Sequence, residues 1–321
     1  MIKYTLRRIL GMIPMLFLIS IVVFTLAKMM PGDSLGGEID PTNTDPEYIE
    51  MMREKLGYND PLPQQYFRWI TDFLQGDFGK SIRYKIPANE LILERLPNTI
   101  FLGVTSLIIT YMFAFAMGMY AGRKPYTLGD HLIAGYNYLG LAIPSFVAGV
   151  FAIYIFAFGL DWFPSNGSVD ITLEKGTLEY WISRIHHTIL PALCLGLFST
   201  ASYTQFLRND MIENSRKDFV RTARAKGTPD SKIYKVHILR NSIIPLVTFL
   251  GFDIVTLVNG AVITETIFTY PGLGQLFLNS VTNRDYSVLM SLTLMFSFLV
   301  LIGNLIADLL YGIVDPRIRI D

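Results

Sequence analysis

The chain has 321 residues, of which 51% are hydrophobic and 17% charged, and its basic and acidic side chains balance to a formal net charge of zero. With a mean hydropathy of +0.38, this composition suits a chain solvated largely by lipid and excludes the basic footprint of a nucleic-acid-binding protein. The single cysteine, Cys194, has no partner for an internal disulfide.

A helix needs about 20 residues to cross hydrocarbon. Six runs qualify: 9–27, 100–122, 138–160, 189–206, 243–267 and 288–314. Thr25-Leu26-Ala27 resembles a leader cleavage site, but the first run exceeds the roughly 7 to 15 apolar residues of a signal peptide and reads as a span. Lysine and arginine in short loops set orientation, because they are retained on the cytoplasmic side. Lys3, Arg7 and Arg8 precede the first run, and Arg123 and Lys124 follow the second. Arg208, Arg216, Lys217, Arg221, Arg224, Lys226, Lys232, Lys235 and Arg240 lie between the fourth and fifth. The short loops opposite hold only Lys175, Arg184 and Arg284, and the long segment 28–98, also basic, is of a length that translocates largely regardless of charge. Both termini are therefore expected in the cytoplasm, the tail carrying Arg317 and Arg319, and residues 28–98 fall outside by parity.

That outer segment is patterned enough to fold. Asp45 is placed to cap a helix beginning at Pro46 and stopping at Gly57. A second helix starts near Pro63, puts Tyr66, Ile70, Phe73 and Leu74 on one face, and ends at Gly76. A lid that receives a soluble partner and a cap packed on the bundle are equally consistent with this. Gly79-Lys80-Ser81 is not a phosphate-binding loop, since Leu74 stands where the first glycine is required. Any ATP used must be hydrolysed by another polypeptide.

Pro144 interrupts the third run and is expected to kink it, whereas Pro14 and Pro191 lie near the starts of theirs. Gly103, Gly118, Gly251 and Gly260 allow close helix approach. His186 and His187 are adjacent and point to different helix faces, while His131 and His237 fall in loops on the other side, so no shared metal site is expected. No Gly-x-Ser-x-Gly elbow or His-Glu-x-x-His run is present.

The basic insert at 208–242 carries a helix-stop-helix pattern. Residues 218–226 favour helix, Gly227 supplies a left-handed stop, and Thr228-Pro229 begins a second helix running from about Asp230 towards Asn241. It reads as a docking element standing out from the membrane. Inside the spans, Asp253, Glu265 and Asp308 carry a high insertion cost and seldom face lipid. Asp253 fits a polar pathway or a helix-packing bond, whereas Glu265 and Asp308 suit structural roles. Asp253, Thr256 and Asn259 share one helical face. From these residues alone, a proton-coupled carrier titrating Asp253 or Asp308, or a purely structural assembly protein, stands beside an ATP-driven system.

Longer motifs narrow the choice. The chain carries Arg7-Arg8-Ile9, Met30-Pro31-Gly32-Asp33, Leu56-Gly57-Tyr58-Asn59-Asp60-Pro61, Gly76-Asp77-Phe78-Gly79-Lys80-Ser81 and Arg95-Leu96-Pro97-Asn98-Thr99. Further on come residues 218–227, Arg240-Asn241-Ser242, Pro245, Glu265-Thr266, Pro271-Gly272-Leu273-Gly274, Arg284-Asp285-Tyr286 and Asp315-Pro316-Arg317. Over essentially its whole length the sequence resembles the permease subunit of bacterial ATP-binding-cassette (ABC) importers for peptides, the oligopeptide and dipeptide branch.

The resemblance implies an all-α polytopic membrane protein with six transmembrane helices, cytoplasmic N- and C-termini and a type I ABC importer-like fold. Residues 1–321 then form a single permease domain, with 28–98 as a folded extracytoplasmic loop and 208–242 as the cytoplasmic coupling loop. Arg221, Thr222, Ala223, Arg224, Ala225, Lys226 and Gly227 become the coupling helix seated on an ATPase subunit. Ala223 and Ala225 would let it sit close, and Arg221, Arg224 and Lys226 would meet acidic residues. Many relatives have Glu-Ala-Ala where this chain has Arg221-Thr222-Ala223, which removes any glutamate-specific contact. The implied partners are a homologous second permease, two cytoplasmic ABC ATPase subunits holding ATP and Mg, an extracytoplasmic peptide-binding protein and the lipid bilayer. The chain itself would bind no cofactor and no metal, and nickel or another small solute is the alternative cargo. Asp253, Thr256 and Asn259 are the candidates to line the pathway.

Overall fold

The computed structural model describes residues 2–30, 45–57, 59–243, 246, 249–250, 253 and 262–314. Among them the secondary structure is helical apart from one isolated bridge, Lys80 with Pro87. Among the described residues four helices are long and apolar enough to cross a membrane: Thr5–Met29, Ala88–Arg123, Leu178–Ser215 and Tyr286–Leu309. A fifth crossing exists if Leu128–Ala142 and Ser145–Gly159, bent by 100° at their junction, count as one. Most of the expected span at 243–267 lies outside the described residues.

The first helix, α1, covers Ile2–Met29. In the segment that follows, α2 (Pro46–Leu56) is capped by the Asp45 carboxylate, which accepts from the Glu47 N–H at 3.0 Å, and it closes on Gly57 at φ +71°. This is the expected pattern. The next helix, α3 (Leu62–Leu74), lays Tyr66, Trp69 and Ile70 against Val23, Phe24 and Ala27 of α1 and against Tyr286 and Met290. The Tyr66 hydroxyl shares a 2.7 Å hydrogen bond with that of Ser20. Leu74, expected on the packed face, is 79% exposed; Trp69 takes its place in the contact.

Two helices outrun their expected spans by more than ten residues. Helix α4 is Ala88–Arg123 and α7 is Leu178–Ser215. Residues 88–98, read as part of the outer loop, thus belong to α4, and residues 208–215 of the basic insert belong to α7. Hydropathy marks only the lipid-immersed part of a helix, whose hydrogen bonding continues into its polar ends. Pro191 consequently lies deep inside α7, and Pro97 lies inside α4. Between them, α5 (Leu128–Ala142) and α6 (Ser145–Ala152, continuing as a π-helix over Ile153–Gly159) make an elbow in place of the expected kink. Ile143 is extended at φ −85° and ψ +122°, because the residue before proline is disfavoured in the helical region. Pro144 then caps α6. His131, expected in a loop, lies in the first turn of α5.

Helices α4 and α7 pack closely. A Cβ added to Gly196 would come 2.8 Å from the Ser106 carbonyl oxygen, so the α7 backbone needs glycine there. The Thr110 hydroxyl donates across the interface to the Gly196 carbonyl at 3.0 Å. Near the start of α7 Arg184, expected in a loop, is buried. Its Nη2 donates to the Pro97 carbonyl at 3.2 Å and to Asn98 Oδ1 at 3.3 Å, and the guanidinium stacks 4.7 Å above the Phe101 ring.

Motifs far apart in sequence meet as joints. Helix α11 (Val262–Ile267) presents Glu265, fully buried, whose carboxylate accepts from the Thr99 hydroxyl and the Gln275 N–H, each at 2.9 Å. It thereby caps the start of α12 (Leu273–Thr282), where the positive end of the helix dipole favours an anion. Asn98 Nδ2 donates to the Pro271 carbonyl at 2.9 Å. A second joint pairs the Ser81 hydroxyl with the Asp285 carboxylate, just before α13 (Tyr286–Val314). At the other end of α13, Asp308 forms an ion pair with Arg8 of α1 at 3.1 Å. Glu265 and Asp308 therefore hold helices together.

Candidate functional site

The basic insert builds the first candidate site. Helix α8 (Asp218–Ala225) follows α7 after a short turn. One side is apolar: Val220 is fully buried and Ala223 nearly so, packed with Leu207 and Met211 of α7 and with Ile233, Ile238 and Leu246. Arg221, Thr222, Arg224, Ala225, Lys226 and Gly227 are exposed. Ala223 is thus a packing residue that fastens α8 to its own chain, and only Ala225 of the two alanines is on the outer face.

The corner after α8 is closed by two backbone bonds. The Gly227 N–H donates to the Arg224 carbonyl at 2.9 Å and the Thr228 N–H to the Ala223 carbonyl at 3.1 Å, with Gly227 at φ +76°. This is a Schellman closure, which requires a left-handed residue at the position Gly227 occupies. The following helix begins with Pro229 itself as cap and no side-chain capping bond, so Thr228 does not take the expected part. It runs through α9 (Asp230–Lys232), a π-helical segment Ile233–Ile238 and α10 (Leu239–Ser242). Asn214 Nδ2 donates to the Ser242 hydroxyl at 3.0 Å, and both residues are buried, which ties the two ends of the insert together.

Charge on the exposed face is partly balanced within the loop. Arg221 pairs with Asp218 at 3.4 Å and Arg224 with Asp230 at 3.2 Å, all four side chains being at least half exposed. Pairs of this kind contribute little to stability and are easily exchanged for other partners. Within α7 and ahead of α8, Arg208 clasps Asp130 with both Nε and Nη2, at 2.6 and 2.7 Å, and Asp130 also accepts from the Tyr126 N–H at 2.7 Å. The start of α5 is thereby tied to α7 where the insert begins.

The second candidate site surrounds Asp253, which is 6% exposed. Tyr111 of α4 donates to Oδ2 and Tyr203 of α7 to Oδ1, each at 2.5 Å. The two phenol rings lie 5.3 Å apart. Beside them an open groove of about 270 Å³ is lined by Ser199, Ser202, Tyr203, Phe206 and Phe249. Thr256 and Asn259, expected to share the face of Asp253, lie outside the described residues. Sequence reasoning missed both tyrosines. Their signal was a phenol within an apolar run, where the hydroxyl needs a partner that another span must supply. The two neighbouring histidines take separate partners: His186 Nε2 meets the Trp162 carbonyl at 2.8 Å and His187 Nδ1 the Ser183 carbonyl at 2.8 Å.

Residues 114–320 match the family described as the binding-protein-dependent transport system inner membrane component, and residues 1–105 match the N-terminal membrane component of the same systems. The chain belongs to this family. It is 41% identical over 320 residues to the oligopeptide transport system permease protein AppB of Bacillus subtilis (strain 168), covering 99% of this chain and 100% of the relative. It is 34% identical to the glutathione transport system permease protein GsiC of Escherichia coli (strain K12), with 99% of each chain covered. The probable peptide ABC transporter permease protein y4tP of Sinorhizobium fredii is 33% identical, covering 98% of this chain and 99% of the relative. The chain is accordingly a membrane component of a binding-protein-dependent ABC transport system, a multi-pass inner-membrane protein. It is a non-catalytic subunit, and ATP hydrolysis belongs to partner ATPases.

Proposed function

We propose that this chain is the permease subunit of an ATP-driven oligopeptide or dipeptide importer, forming half of the translocation pathway beside a homologous second permease. Six spans with both termini in the cytoplasm place the 208–242 loop inside the cell and the 28–98 segment outside. A single permease domain then presents α8 to one of two cytoplasmic ATPases, which carry ATP and Mg, while a peptide-binding protein delivers cargo to the outer face.

The observation that carries the reading is the two-sided build of α8. Its inner face is packed on α7 through Val220 and Ala223, so displacement of the exposed face is transmitted to a spanning helix. Arg221, Thr222, Arg224, Ala225, Lys226 and Gly227 form the contact surface, and their cations exchange intramolecular carboxylates for those of the ATPase. Closure of the ATPases around ATP draws paired α8 helices together and re-orients the helices around the pathway. Asp253, with Thr256 and Asn259, lines that pathway, and the groove along Ser199, Ser202 and Phe206 offers hydroxyls and an aromatic wall to a peptide backbone.

The test is uptake of labelled peptide by the complete complex in proteoliposomes. ATP-dependent accumulation that vanishes when the ATPases are omitted is expected. Accumulation driven by a proton gradient without ATPases, or transport of nickel with no peptide uptake, overturns the assignment.

A further inference from the structure

We propose that the groove between α1 and α13, at the membrane face where α1 begins, is a binding site for an anionic phospholipid. The two helices touch at the opposite end, where Val23, Phe24 and Ala27 meet Tyr286 and Met290. Towards the start of α1 they leave a groove of about 600 Å³ lined by Arg7, Arg8, Met12, Met15, Leu305 and Asp308 among others. Among the described residues its mouth holds two arginines, Arg7 and Arg8, and one carboxylate, Asp308. Arg8 is engaged by Asp308 at 3.1 Å, and Arg7 is exposed with no ion pair among the described residues.

The groove matches an amphiphile in both chemistry and length. Its cationic mouth suits a phosphate, which arginine binds with paired charge-assisted hydrogen bonds. From Arg7 its wall continues through Met12 to Met15, a rise of about 12 Å at about 1.5 Å per residue. That is a fair fraction of one leaflet, and methionine adapts to an acyl chain of irregular shape. A second protein helix seated there would have to bury the excess guanidinium, whereas a phospholipid neutralises it and stays in its own phase. Basic pockets between spanning helices take acidic headgroups for this reason.

The experiment uses the complete transport complex purified from membranes rich in phosphatidylglycerol, with bound lipid counted by native mass spectrometry and titrated in neutral nanodiscs. The wild-type complex is expected to retain phosphatidylglycerol in preference to phosphatidylcholine. Arg7→Gln should weaken it about tenfold, as loss of one charge-assisted contact predicts, and Arg7→Lys should restore most of the affinity. Met12→Trp should block the groove while unfolding temperature stays at the wild-type value. Equal retention by Arg7→Gln and wild type overturns the proposal, as does equal binding of phosphatidylcholine. Full displacement of the lipid by millimolar inorganic phosphate would show that the headgroup alone is recognised, which also overturns it. A crosslink from a cysteine at exposed Asn304 to the second permease, with no lipid retained, would assign the groove to that subunit instead.

Discussion

Gly227 offers the sharpest test of the corner that follows α8. At φ +76° a side chain is disfavoured, yet an added Cβ would meet nothing within 4 Å, so any cost is conformational. Alanine should cost about 1 kcal/mol, and asparagine, which tolerates the left-handed region, rather less. Proline is held near φ −65° and lacks the N–H that reaches the Arg224 carbonyl at 2.9 Å. It loses both the geometry and the bond, and about 3 kcal/mol or more follows. When an ordered corner is required for docking, these penalties become about fivefold weaker ATPase binding for alanine and more than a hundredfold for proline. The assay measures binding of the ATPase subunits to the permease pair in nanodiscs, alongside ATP-driven peptide uptake, with membrane insertion scored separately. Both readouts should rank glycine, asparagine, alanine, proline, with insertion unchanged. Wild-type uptake by Gly227→Pro, or a ranking that follows side-chain volume, would refute the reasoning.

Other positions give independent checks. Tyr111→Phe and Tyr203→Phe each remove one donor from buried Asp253 and should lower stability by about 1–3 kcal/mol. Because they share one carboxylate, the double variant should depart from additivity by at least about 0.5 kcal/mol in denaturant unfolding; strict additivity would mean that they act separately. Asp130→Asn breaks the clasp on Arg208 and should cost about 2 kcal/mol, less than the roughly 3–5 kcal/mol of a sealed pair, because Arg208 keeps 16% exposure. An unchanged unfolding temperature would count against that pair. Gly272→Ala puts a Cβ 2.3 Å from the Glu265 carboxylate, and overpacking of this kind costs about 1–3 kcal/mol. Reduced yield of folded protein is expected, with Glu265→Gln failing to rescue it, since the crowding is steric. By contrast, Arg8→Ala removes a half-exposed ion pair and should change stability by less than about 1 kcal/mol.

Punctuation residues carried most of what the sequence revealed. Asp45, Pro46, Gly57 and Gly227 act within a few residues of themselves, through caps and left-handed stops, so local reading found them. Pro144 was visible, but its effect was not. Among the described residues Pro14, Pro97 and Pro191 are absorbed inside long helices, whereas at Pro144 the preceding residue leaves the helix. That outcome depends on packing, which no local rule contains. The same holds for Asp253: its burial cost flagged it, whereas its partners Tyr111 and Tyr203 stand 142 and 50 residues away. The joint of Thr99, Glu265 and Gly272 was spelled out in separate motifs with nothing in one to point to another. Ala223 was misread because smallness serves equally to admit a neighbouring protein and to let a helix lie flat on its own chain.

The division of α8 into a fastened and an outward side has an evolutionary corollary. Substitutions at Val220 and Ala223 are answerable to the fold, whereas those at Arg221, Thr222, Arg224 and Lys226 are answerable to whatever lies opposite. The two sets can drift independently. On the proposed docking of α8, a lineage could retune its allegiance to a different motor by rewriting a handful of outward letters, leaving the scaffold that holds them untouched.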